Sequence, residues 1–150
     1  MKTPFTFGKI ALNKDFTDRV KETERLRQNF LSLTNTILIS PRRWGKSSLV
    51  IKAAELVKQE NKKIRFCFID LNNVRTEEQF YQHLATEVLK VSSGKIENII
   101  ATAKKQLGRF VPTITLNPSP ETSFQIGLDW LEVKKQPTEI INLAENIAVS

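Results

Sequence analysis

The sequence predicts an α/β fold: a parallel sheet flanked by helices, with a β-hairpin inserted into it. Three observations predict it. The apolar run Thr36-Ile37-Leu38-Ile39 leads into Ser40-Pro41-Arg42-Arg43-Trp44-Gly45-Lys46-Ser47-Ser48, the order of a strand, a tight loop and a helix start. Residues 64–71 form a second, mostly apolar run of the kind a parallel sheet buries on both faces. Around these runs apolar residues recur at helical spacing, so that strand and helix alternate as right-handed crossovers require.

Each element has its own signal. Residues 16–31 read as a helix with Asp15 as N-cap, and 36–39 as the first strand. The next helix runs from about Lys46 to Gln59, carried by Leu49, Val50, Ala53, Ala54, Leu56 and Val57, and the polar stretch Glu60-Asn61-Lys62-Lys63 ends it. Thr76-Glu77-Glu78-Gln79 has the spacing of a capping box ahead of Phe80, Leu84, Val88 and Val91. A third stripe, Ile96, Ile99, Ile100, Ala103 and Leu107, closes near Gly108. Residues 113–116 and 123–128 alternate about the turn Asn117-Pro118-Ser119-Pro120-Glu121, which predicts the inserted hairpin. A last helix is expected over 137–149, with Ile140, Ile141, Leu143, Ala144, Ile147 and Ala148 apolar.

The segment 40–48 carries the chemistry. Its pattern is G-x-x-x-x-G-K-[ST] with Ser40 in place of the first glycine. A polyphosphate presents acceptor oxygens only, so its site needs a run of backbone amides, a helix N-terminus and one long cation. Gly45 lets the main chain approach closely, Lys46 is placed to reach phosphate oxygens, and the Ser47 hydroxyl to sit on Mg²⁺. Serine at position 40 is tolerable only if that residue stays out of the left-handed backbone region. Arg42 and Arg43 either add positive potential near the phosphates or are solvated turn residues, and Trp44 either covers a nucleotide or packs the loop down.

These residues resemble a family. The S-P-R-R-W-G-K-S-S-L stretch is similar to the G-P-R-R-x-G-K-[ST]-S-L Walker A loop of AAA-type P-loop ATPases, in particular the archaeal and bacterial group related to STAND signalling ATPases and origin-recognition initiators. Phe16-Thr17-Asp18-Arg19-Val20-Lys21-Glu22 followed by Leu26 resembles the F-x-x-R-x-x-E-x-x-x-L segment that precedes that loop. The resemblance implies a P-loop NTPase fold, ATP and Mg²⁺ as ligands, and ATP binding and hydrolysis used as a conformational switch. It implies phosphate contacts from Ser40, Pro41, Arg42, Arg43, Trp44, Gly45, Lys46, Ser47 and Ser48, with Lys46 the catalytic cation and Ser47 the metal ligand. By position, Phe16, Asp18 and Arg19 would line the adenine pocket. Adenine over guanine rests on the resemblance, as no N-K-x-D motif is present.

Two further residues bear on the same chemistry. Phe66-Cys67-Phe68-Ile69-Asp70 fits a strand ending in an acid, but Leu71 follows where a water-polarising Glu would stand, so Asp70 is expected at a strand end near the site mouth instead of organising metal. His83 shares a helix face with Gln79, Glu87 and Lys90 and is expected to face solvent. No apolar run ending in Asp-Glu follows the 137–149 segment, so the chain is expected to be the N-terminal part of a longer ATPase with an incomplete sheet, binding nucleotide and hydrolysing it poorly. Along it, 1–34 would be a lead-in, 35–91 the core, 92–136 an insertion and 137–150 the helix before the missing strand.

Composition sets the outer limits. The chain has 150 residues, 40% of them hydrophobic, enough for one domain with a core. Its net charge of +7 is uneven: residues 1–63 hold 14 Lys and Arg against 6 Asp and Glu, and the remainder is nearly balanced. Such a basic half suits an anionic ligand, and it equally suits the alternative of a non-hydrolysing nucleotide sensor docking onto DNA or an acidic protein. The lone Cys67 excludes a disulfide framework, and no stretch has the length of a membrane span. A cytoplasmic protein, with no membrane partner and with any oligomer formed through regions beyond this sequence, is the expectation.

Overall fold

The computed structural model describes residues 19–92, 96–116 and 124–149, and the chain divides into two compact units, Met1–Phe66 and Cys67–Ser150.

The first unit is a pair of packed helices. Helix α1 spans Val20–Leu31 and helix α2 spans Lys46–Glu60. Arg19 stands at the N-cap of α1, where its carbonyl accepts from the Thr23 amide at 3.0 Å and the Thr23 hydroxyl at 2.7 Å. The expected start at Phe16 and the Asp15 cap lie outside the described residues. Leu26 of α1 meets Leu49 and Ala53 of α2, with Phe30 and Val50 against them, which is the apolar stripe that the helical spacing marks out. Phe30 also meets the Phe66 ring edge-on at 5.1 Å. Arg27 ties the two helices: it holds Glu24 through Nε at 2.8 Å and Nη2 at 2.6 Å, and reaches across to Glu60 through Nη1.

The second unit is built around helix α3, Glu77–Ser92. The capping box is present in modified form: the Gln79 amide donates to the Thr76 hydroxyl at 3.2 Å, while the Gln79 carboxamide oxygen accepts from the Arg75 amide, one residue further back than the motif requires. Helix α4, Ile96–Leu107, runs into a single 3-10 turn, Gly108–Phe110. Strands β1, Thr113–Leu116, and β2, Phe124–Gly127, pair antiparallel with Ile114 opposite Ile126; the expected turn at 117–121 lies outside the described residues. Phe124 and Ile126 point into a core completed by Leu89, Leu107, Phe110 and Ile140. Thr86 of α3 locks β2 in place, its buried hydroxyl donating to the Gln82 carbonyl at 2.8 Å and accepting from the Ile126 amide at 3.1 Å.

The fold class predicted from sequence is overturned. Of the described residues 63% are helical, and the one sheet among them is the two-stranded antiparallel pair, not a parallel sheet flanked by helices as a P-loop NTPase has. Residues 36–39 and 64–71 form no strand among the described residues. The reason is physical: β-branched apolar runs favour an extended backbone, but a strand exists only where a neighbour completes its hydrogen bonds. Ile37 and Ile39 are accordingly 87% and 92% exposed, not buried in a sheet. The expected 137–149 helix is also divided. A short helix α5 spans Trp130–Lys135, capped by Asp129, whose carboxylate accepts from the Leu131 amide at 2.9 Å. Pro137 then opens α6, Pro137–Ile141, and Asn142 separates it from α7, Leu143–Val149.

Two measurements test this packing. Thr86→Val keeps the shape but leaves the Ile126 amide buried without an acceptor, so chemical denaturation should show a loss of about 1–3 kcal/mol. The Arg27 guanidinium beside Glu24 holds its carboxyl below the ordinary 4.5. A depressed folded value means the pair stabilises the fold above 4.5 and the contribution fades as pH falls through the folded value. Acid titration followed by circular dichroism should therefore be shallower for Arg27→Met than for the native chain.

Candidate functional site

Residues 40–48 join the extended 36–39 segment to α2 through two left-handed backbone positions, Arg43 at φ +65° and Gly45 at φ +69°. Glycine is at ease there, whereas an arginine is strained by about 1–2 kcal/mol because its Cβ crowds the carbonyl that follows. Ser40 is not among the residues with positive φ, so the condition for replacing glycine at the first position of the motif is met. A left-handed residue beside right-handed ones turns successive amides toward one side, the geometry of an anion-binding nest.

Three amides at the head of α2, those of Gly45, Lys46 and Ser47, meet no acceptor among the described residues, and the first bond of α2 runs from the Leu49 amide to the Gly45 carbonyl at 2.9 Å. They are the orphan donors that every helix start leaves. The first turn of α2 carries no acidic side chain, so the positive end of a 15-residue helix is not neutralised by its own residues. Ser47 is exposed, Ser48 is buried, and Trp44 is 65% exposed.

Lys46 bends back over this loop. Its ammonium donates to the Ser40 carbonyl at 2.7 Å, the Pro41 carbonyl at 2.8 Å and the Ser40 hydroxyl at 3.2 Å. Three contacts use all three ammonium protons. An incoming anion therefore replaces at least one loop oxygen as a partner of Lys46.

Arg19 grips the loop at Trp44. Its Nη1 donates to the Trp44 carbonyl at 2.8 Å, and its Nε lies 3.5 Å from Glu22 Oε1. Sequence spacing gives no sign of this contact, because the partners are 25 residues apart and the contact is tertiary. Phe16 and Asp18, the other residues assigned to the adenine pocket by resemblance, lie outside the described residues.

The remaining candidates fall in the second unit. Asp70 stands on no strand: its carboxylate accepts from the Asn72 amide at 2.9 Å, closing a local turn. His83, expected to face solvent, is half-buried and lines a cleft of about 230 Å³ with Gln79, Gln82, Lys90 and Gln125. Partial burial pushes the Cys67 thiol up, Glu87 adds to the effect and Lys90 opposes it, which is the reverse of what an activated nucleophile needs. Among the described residues no group of three His, Cys, Asp or Glu side chains could hold a metal ion, and no helix is long and apolar enough to cross a membrane.

No protein-family profile, curated protein or solved structure matches the chain. The loop must therefore be judged on its own geometry.

That geometry makes opposite demands at its two left-handed positions. Gly45→Ala places a Cβ 3.9 Å from Arg19 Nη1, ordinary contact, so its cost is the backbone strain of about 1–2 kcal/mol. Arg43→Gly relieves the same strain but gives the unfolded chain about 0.5–1 kcal/mol of extra freedom. Thermal unfolding should accordingly show Gly45→Ala destabilised and Arg43→Gly unchanged or up to about 1 kcal/mol more stable.

Proposed function

We propose that residues 40–48 bind the triphosphate of ATP together with Mg²⁺, and that the protein uses this binding as a nucleotide-dependent conformational switch. What carries the reading is one arrangement: three amides at the head of α2 that meet no acceptor among the described residues, beside a lysine ammonium held on the Ser40 and Pro41 carbonyls of the same loop. Backbone donors and the helix dipole supply the partial positive charge that phosphate oxygens seek, without the desolvation cost of a second buried cation. Lys46 exchanges a loop carbonyl for a phosphate oxygen, an anionic acceptor in place of a neutral one. Ser47, exposed beside it, offers its hydroxyl to the metal. Arg42 and Arg43 are exposed on the same loop and add to its positive potential. The reading is one of binding; the acid that would activate water for hydrolysis is assigned to no residue of this chain.

Isothermal titration with MgATP tests it on the full chain. Lys46→Ala should bind at least about tenfold more weakly than the native protein, the loss expected from one charge-assisted contact. Equal affinity would remove the loop as the binding site.

A further inference from the structure

We infer that Arg19 is a positioning residue of the phosphate loop, aiming the Gly45 amide at the ligand instead of contacting the nucleobase. The inference rests on the phosphate-binding reading above and goes beyond it by giving Arg19 a role unlike the one its sequence position suggests. In a trans peptide the carbonyl and the amide of the same plane point in opposite directions, and no cis peptide bond occurs among the described residues. Arg19 Nη1 draws the Trp44 carbonyl toward itself at 2.8 Å. The Gly45 amide, on the other side of that plane, is thereby turned away from the guanidinium.

Without that grip the Trp44–Gly45 plane has little to fix it. Gly45 is the loop residue most able to rotate, since glycine populates both signs of φ, and a rotated plane would present the Trp44 oxygen to the anion where a donor is needed. An acceptor facing phosphate oxygens repels them. The guanidinium suits the task because its planar head can donate to a carbonyl with one nitrogen while another faces a carboxylate. Here Nε faces Glu22 at 3.5 Å, and Nη1 lies 3.9 Å from where a Cβ on residue 45 would stand. The grip acts on the shared polyphosphate end, so its loss is felt equally whatever base the ligand carries.

Calorimetry on the full chain with MgATP, MgGTP and magnesium tripolyphosphate, joined to ¹H–¹⁵N spectra of the ligand-free protein, tests the assignment. Arg19→Met should bind all three about tenfold more weakly, as removal of one positioned donor implies, and should shift the Gly45 amide resonance before any ligand is added. Arg19→Lys, which keeps a donor of similar reach, should recover part of the affinity and hold that resonance nearer its native position. Native affinity in Arg19→Met, a loss confined to ATP with tripolyphosphate unchanged, or an unmoved Gly45 resonance would each overturn the inference. Lys46→Ala run beside them separates the two ideas: if it binds tripolyphosphate as the native chain does, the phosphate reading fails whatever Arg19 does.

Discussion

The left-handed bend at Gly45 is the constraint on which the first unit's chemistry depends. It closes the turn that begins at Arg42 and starts α2 at the next residue, so the helix's first amides emerge at the loop and not further along its side. Everything else at the loop is arranged around that turn. Lys46 is the first helical residue and can fold back over Ser40 and Pro41 only because the chain reverses immediately before it. Arg19 can reach the Trp44 carbonyl because α1 lies along α2, their register fixed by Leu26, Leu49 and Ala53. The hydrophobic stripe thus supports a polar geometry at its end, and a slip of one helical turn between the helices would break the latter without greatly disturbing the former.

The ammonium of Lys46 shows how a basic loop remains ordered by itself. Cations crowded on a short turn repel, and Arg42, Arg43 and Lys46 lie within five residues. Directing one of them onto backbone oxygens converts part of that repulsion into intraloop bonds. The same bonds make the loop responsive, since partners that are neutral carbonyls yield readily to charged oxygens.

Much of the local structure was legible in the sequence, and the reason lies in how local each signal is. The bounds of α2 and α4 follow from apolar spacing over three or more turns, the start of α3 from Thr76 and Gln79, and the antiparallel pair from alternation on both sides of a proline-rich turn. Residues 36–39 and 64–71 carry the signal of strands yet form none among the described residues, because β-branched apolar residues report a preference for extension, whereas a ladder depends on a neighbour that no local pattern encodes. Helix α5 is too short for periodicity to reveal, although Asp129 ahead of Trp130 was an available cap signal, and the break at Asn142 lies within a run whose apolar spacing continues across it. At the candidate loop, Gly45, Lys46 and Ser47 were readable as a motif. The roles of Arg19 and Thr86 were not, since each meets a partner 25 or 40 residues away.

The two tryptophans sit in contrasting surroundings. Trp44 stands 65% exposed on the loop of the first unit, while Trp130 is half-buried against the core of the second, its ring 6.1 Å from Tyr81 and beneath the Lys134 ammonium at 5.1 Å. A solvated indole emits at longer wavelength than a shielded one, and tyrosine transfers excitation to an indole this close. The chain therefore carries its own pair of optical reporters, a red-edge emitter on the loop of the first unit and a shielded one in the core of the second, so each unit has an intrinsic signal without an attached dye.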